Sequence, residues 1–146
     1  MKYLILAIAF SSTLLLQSFK SPKYTVELTI SNLRNFDGEI GIGIYQNDDG
    51  FQNEQSYINK KFSKAQTKNG RLTVTFTIEA GTYGIALLDD ENKNNKMDYS
   101  FIGIPKEGFG FSNYYHTGLT KPHFNQFKFE VKPNTKNTVE VKVRYI

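Results

Sequence analysis

Between Leu88 and Tyr115 the chain sets oxygen-bearing side chains at a spacing that suits a hard cation. Asp90, Asn92, Asn94 and Asp98 fall at positions 1, 3, 5 and 9 of an EF-hand-like loop, and the backbone carbonyl of Lys96 falls at position 7. Such spacing lets a tightly coiled loop turn alternate oxygens onto one centre. Two positions depart from the pattern. The sixth, where the sharp turn calls for glycine, is Asn95, and asparagine tolerates the left-handed region better than most residues. The twelfth, where a bidentate glutamate usually closes the site, is Phe101. Asp89 and Glu107 are the acids that could supply an extra ligand. Two direct carboxylates predict weak affinity, about 10⁻⁴–10⁻³ M, so calcium in an extracellular setting is the one cofactor this spacing suggests. The same residues also suit an Asx-rich turn held by side-chain-to-backbone bonds with no ion.

The next stretch, Gly103 to Asn113, is rich in glycine, and the Gly103–Tyr115 loop supplies the candidate ligand-binding residues Phe109, Phe111, Tyr114 and Tyr115. Exposed rings there would make a stacking platform for a sugar or another flat ligand. The same rings suit burial as anchors, and the ring-rich half is expected to pack onto the domain. Phosphate cradling fits poorly, because no helix start follows to add its dipole.

Enzymatic chemistry has few carriers. Cysteine is absent, Ser100 and Ser112 are the serines of this region, and His116 and His123 are the only histidines. No strand-turn-helix elbow surrounds either serine, as a poised nucleophile would need. A pair of carboxylates drawn from Asp89, Asp90, Asp98 and Glu107 is the hydrolase alternative. The two histidines are not at a recognised zinc spacing.

These residues need a scaffold, and its beginning is a targeting pattern. Met1-Lys2, an apolar run from Tyr3 to Leu16 and polar Gln17-Ser18 read as a secretory signal peptide over residues 1–18, with cleavage expected between positions 18 and 21. The run is short of the roughly 20 residues of a membrane span. An uncleaved anchor is the alternative. After signal removal no transmembrane segment is expected, and the product would be periplasmic or extracellular. Without cysteine there are no disulfides and no lipid anchor on an N-terminal cysteine. The formal charge of +4 is spread among acids rather than gathered in a stripe, which argues against a nucleic-acid partner.

Residues 22–146 read as one β-domain. Apolar residues alternate over Tyr24–Ile30, Glu39–Tyr45, Arg71–Ile78 and Val139–Tyr145, with further strands at Gly84–Leu88, at Phe127–Val131 and beginning near Phe62. Asp37-Gly38, Asn69-Gly70 and Pro133-Asn134 supply turns, and a short helical turn is expected near Phe51. Around seven strands joined by turns predict an all-β antiparallel sandwich with one long structured loop. Gly41 and Gly43 share one face of their strand, which suggests a loop lying across it. Tyr83 suits either a tyrosine corner or a core aromatic.

The Gly-x-Tyr step at Gly81–Tyr83, the Asp-x-Asn-x-Asn-x-x-x-Asp stretch from Asp90, and Gly-Ile-Pro-Lys-Glu-Gly-Phe-Gly-Phe-Ser-Asn from Gly103 together resemble a family of bacterial secreted proteins known as a domain of unknown function. The similarity runs from about Tyr24 to the C-terminus and includes Ile44-Tyr45 and Pro122-His123-Phe124. The resemblance implies export and an immunoglobulin-like or prealbumin-like sandwich. It implies no activity, so no catalytic residue comes with it. The expected function is an exported, non-enzymatic binding or accessory module with a calcium site. A glycan or an envelope protein is the expected kind of partner. The alternatives are a carbohydrate- or small-ligand-binding domain and a hydrolase.

Overall fold

The computed structural model describes residues 21–146, and the expected signal segment lies outside them. Alternating side chains become strands where one face has a core to meet. The elements are β1 (Lys23–Ser31), β2 (Glu39–Tyr45), α1 (Asp48–Gln52), β3 (Ile58–Ser63), a 3-10 turn (Lys64–Gln66), β4 (Leu72–Glu79), β5 (Gly81–Asp90), β6 (Gly108–Phe111), α2 (Phe124–Phe127), β7 (Lys128–Val131) and β8 (Asn137–Lys142). One sheet has the order β4-β1-β8; the other runs β3-β2-β5-β6, with β7 also paired to β5. The result is an all-β sandwich. Between the sheets lie Val26, Leu28, Ile30, Ile40, Ile42, Ile44, Ile85, Leu87, Val139 and Val141, all buried. Each comes from the apolar half of its strand's alternation, because successive side chains point to opposite faces.

One pairing departs from the antiparallel expectation: β1 and β8 run parallel, with Leu28 opposite Val139 and Ile30 opposite Val141. Parallel neighbours need a crossover connection, and here nearly the whole domain lies between the two strands. Beyond β8 the chain crosses to the other sheet. Phe109 N donates to Arg144 O at 3.0 Å and Arg144 N donates back to Phe109 O at 2.8 Å, so the C-terminal segment closes one side of the sandwich.

The outer face of the second sheet is also covered. Phe51 from α1, Phe111 from β6, and Phe124 and Phe127 from α2 form a second buried cluster, with Tyr45, Ala86, Phe109 and Tyr114 packed against it. The rings meet edge to face, as between Phe51 and Phe127 at 4.7 Å and Phe51 and Phe111 at 5.9 Å. Asp48 ties the short helices together, its Oδ1 accepting from Phe124 N at 2.7 Å.

The covered glycines differ from those expected. A Cβ on Gly41 would meet nothing nearer than 4.0 Å, and Gly43 is covered by the ring of Tyr45 rather than by a distant loop. The aromatics lie instead over Gly84, where a Cβ would stand 2.5 Å from the Phe127 ring. Tyr83 resolves as a core aromatic, buried and stacked on Tyr57 with ring centroids 6.3 Å apart.

Candidate functional site

The strand β5 ends in two consecutive aspartates that pleating sends to opposite faces. Asp89 points into the sandwich. One oxygen accepts from Lys64 Nζ at 2.6 Å and the other accepts from the Tyr145 hydroxyl. Asp89, an extra ligand on the sequence reading, thus has both oxygens engaged inside. Asp90 faces the other way and caps the turn that follows. Its Oδ1 accepts from Asn94 N at 3.0 Å and its Oδ2 from Asn95 N at 2.8 Å.

These bonds coil the segment. Lys93 and Asn95 take left-handed backbone, φ 61° and 66°, so Asn95 fills the glycine-preferring sixth position in the expected conformation. Asn92 Oδ1 accepts from Asn94 N, and Asn94 Oδ1 accepts from Lys96 N, each at 3.0 Å, giving successive Asx turns. The two amides then converge: Asn92 Nδ2 and Asn94 Nδ2 both donate to Asp98 Oδ2, at 2.5 and 2.9 Å. Asn92, Asn94 and Asp98 are therefore brought together, with Asp90 engaged at the base of the turn. Lys96 is exposed. Among the described residues no group of three or more His, Cys, Asp or Glu side chains gathers as metal ligands would.

Glu107, the other extra candidate, is buried and latches the loop at both ends. Its Oε1 accepts from Glu91 N at 3.0 Å and its Oε2 from Asp98 N at 3.2 Å. Outside the loop, Arg34 grips Glu91 through two bonds of 2.7 Å and donates to Lys106 O at 3.0 Å, while Asn35 donates to Glu91 at 2.8 Å. The Arg34 bond, helped by Asn35, holds the Glu91 carboxyl below its ordinary range despite partial burial. Burial, and then the bond to Asp89, push the Tyr145 hydroxyl well above its ordinary value. At Gly38 (φ 79°) a Cβ would overlap the Asp90 carbonyl oxygen, so the turn before β2 has to be glycine for the loop to start where it does.

The middle of the loop folds as a hairpin. Lys106 N donates to Asp98 O at 2.8 Å, Ser100 N to Ile104 O at 2.7 Å and Gly103 N to Ser100 O at 2.9 Å. Its tip does not pack onto the sandwich as expected: Phe101 is fully exposed, Ile102 is 75 % exposed and Tyr99 58 %. The backbone bonds of this segment close within the hairpin itself, between Asp98 and Lys106 and between Ser100 and Gly103 and Ile104. This surface was legible only as apolar residues in a polar loop.

The platform candidates separate. Phe109 and Phe111 lie on β6 rather than in a loop. Gly108 and Gly110 alternate with them and face the C-terminal segment and the end of β8, where Cβ atoms would come within 2.5 Å of Val143 and Val141 respectively. Phe111 is buried and Phe109 half-buried, with the Arg144 guanidinium 5.8 Å from its ring. Tyr114 is half-buried, its hydroxyl accepting from Gln126 at 2.9 Å. Tyr115 alone of the four is exposed, with the Lys142 ammonium 4.9 Å from its ring. They form anchors more than an open platform.

The groups that could serve catalysis are engaged structurally. Ser112 is fully buried, accepting from Ile85 N at 2.8 Å and donating to Phe127 O at 2.6 Å. Ser100 Oγ accepts from Ile104 N. His116 contacts Thr120 O at 2.6 Å, and His123 lies 3.3 Å from Asp48.

A family model described as "Uncharacterized protein conserved in bacteria (DUF2141)" matches residues 28–139. No curated protein and no solved structure matches the chain. No helix among the described residues is long and apolar enough to cross a membrane.

Proposed function

The chain belongs to this bacterial family, whose description assigns no activity, and from that premise we propose an exported, non-enzymatic binding module whose Asp90–Asp98 turn takes up calcium. The observation that carries the reading is the meeting of Asn92, Asn94 and Asp98 at one carboxylate oxygen. An amide presents a carbonyl oxygen or an N–H₂ group by rotating about one bond. Without a cation the Asp98 carboxylate draws the amide donors. With calcium beside it the amides would turn their oxygens inward and give up their Asx-turn bonds. Asp90 at the first position and the Lys96 carbonyl at the seventh would complete the set, while Glu107 holds the Asp98 backbone in place. The ion would tie the polar turn to the hairpin that follows it and so stiffen the presented surface. The N-terminal signal pattern supports export, to a compartment where a weak site can meet millimolar calcium. The structural engagement of both serines and of Asp89 and Glu107 supports a binding role over hydrolysis.

Thermal unfolding in a calcium titration tests this. A ligand of the folded state stabilises by RT ln(1 + [L]/Kd), about 1.4 kcal/mol at ten times Kd. The expected result is a rising Tm over millimolar calcium that Asp98→Ala abolishes. An unchanged Tm at roughly 10 mM calcium, ten times the weak end of the expected Kd range, removes the cation from the reading.

A further inference from the structure

We propose that β4 is a dimer edge: two copies of this domain pair their β4 strands antiparallel about a two-fold axis, joining their three-stranded sheets into one of six strands. The contact goes beyond the calcium reading and does not depend on it.

Backbone direction shows which groups of β4 lie open. Ser31 O accepts from Val143 N, so the odd-numbered residues of β1 turn their polar groups toward β8. The even-numbered ones turn toward β4, through pairs such as Leu28–Val74 and Val26–Phe76. Alternation therefore sends the N–H and C=O groups of Thr73, Thr75, Thr77 and Glu79 away from β1. Among the described residues no strand meets them. Arg71 faces the same way, but it exchanges bonds of 2.8 and 2.9 Å with Lys68, which closes the edge at that point. The open run is residues 73–79.

The other edges of the described sheets are blunted. β3 carries Lys60 and Lys61, β6 and β7 have four residues each, and the segment after β8 is bonded to Phe109. β4 instead has eight residues, an unbroken register with β1, and no proline, glycine or lysine. A long bare edge of this kind is a template for another strand.

The make-up of the run fits a second copy of itself. A two-fold axis at Phe76 sets Thr75 opposite Thr77 of the second copy, and Thr73 opposite Glu79 of the second copy. Exposed threonines then meet threonines, a favourable cross-strand pair. Glu79 of the second copy arrives beside Lys68 and Arg71, both exposed and in no ion pair among the described residues. Glu79 has no ion pair there either, although Lys23 stands opposite it on β1. Val74, half-buried at the margin of the core, is covered by Ile78 of the second copy. The two-fold contact consumes both edges at once and cannot propagate into fibres.

The test is sedimentation velocity over a range of concentrations, in chelator, joined to disulfide trapping. Residues 21–146 are used, since they hold both sheets and both apolar clusters; cooperative unfolding is checked for each variant. One strand pair is a small interface, below about 1,200 Å², so a weak dimer is expected. The wild-type mass should climb toward twice the monomer as concentration rises. Thr75→Pro removes an N–H that β1 does not receive and should weaken association roughly tenfold or more. Thr75→Lys/Thr77→Lys sets like charges opposite one another and should do the same with the backbone unaltered. The chain has no cysteine, so introduced pairs report the geometry. Bonded antiparallel partners have Cα atoms about 5.5 Å apart, within disulfide reach. Mild oxidation of Thr75→Cys/Thr77→Cys should give a covalent dimer, and Asn59→Cys/Lys61→Cys on β3 should stay monomeric. A wild type that is monomeric at every concentration overturns the proposal. So does a lysine variant that associates as well as wild type, or a covalent dimer formed through β3 rather than β4. Because chelator is present, failure here counts against the dimer alone, and a failed calcium titration counts against the cation alone.

Discussion

Lys64 Nζ lies 2.6 Å from Asp89 Oδ1, and solvent reaches neither side chain. Lys64 also donates to Asn35 Oδ1 at 2.9 Å, while the other Asp89 oxygen takes the Tyr145 hydroxyl. The pair thereby joins the 3-10 turn, the end of β5, the β1–β2 connection and the C-terminal segment. It sits one residue before Asp90, so it sets where the polar turn begins. A buried pair of this kind adds little net stability over an apolar replacement, but breaking it is costly.

Lys64→Met should therefore destabilise by about 3–5 kcal/mol, because it leaves the Asp89 carboxylate buried beside a thioether. The double variant Lys64→Met/Asp89→Leu should recover much of that loss. Urea unfolding of the three chains measures both. A double variant no more stable than the single one would show that the charges do more than satisfy each other.

Two strand glycines that look alike in sequence should respond oppositely to alanine. At Gly84 the added methyl meets the Phe127 ring at 2.5 Å inside a packed cluster, and overpacking costs about 1–3 kcal/mol. At Gly41 it meets only the Leu88 carbonyl oxygen, at 4.0 Å, so the gain in strand propensity, about 0.5–1 kcal/mol, should show instead. Equal shifts in the urea midpoint would mean that the aromatic cluster does not rest on Gly84.

Glu107→Ala should unlatch the loop while sparing the sandwich. Glu91 N and Asp98 N lose their acceptor, a local cost of about 1–3 kcal/mol. Amide exchange is expected to accelerate at Asp98 and Lys106 and to stay slow in β1 and β8. Uniform acceleration would place Glu107 in the global core instead.

The pH dependence has two limbs. Glu91 titrates below its ordinary range in the folded protein, chiefly through the Arg34 bond. Its contribution is thus present above about pH 4.3 and is lost as pH falls through the lower folded value. Tyr145 is shifted upward, mainly by burial. Its contribution is present below about pH 10 and is lost as pH rises through the higher folded value. Plots of Tm against pH should show a flatter acid limb in Glu91→Gln and a flatter alkaline limb in Tyr145→Phe. Unchanged limbs would contradict these assignments.

The parts of this protein that depend on near neighbours are written in the order of its residues. Tyr24–Ile30 and Val139–Val143 alternate because each strand has one face to bury, and that period is written in adjacent residues. Asn69-Gly70 makes its turn, and Asn95 its left-handed step, from their own backbone preferences. The coil of Asp90 to Asp98 was legible for the same reason, since its bonds span at most six residues. Tertiary structure decided what distant segments bring. Asp89 and Asp90 are the same residue type side by side, yet one meets Lys64 inside the sandwich and the other caps a surface turn. Gly-Phe-Gly-Phe at Gly108–Phe111 reads as a loop until β5 and Arg144 pair with it from both sides. Which glycines lie under aromatics depends on where α2 and the C-terminal segment land. Those contacts form across tens of residues, and the backbone preferences of the chain do not encode which surface will arrive.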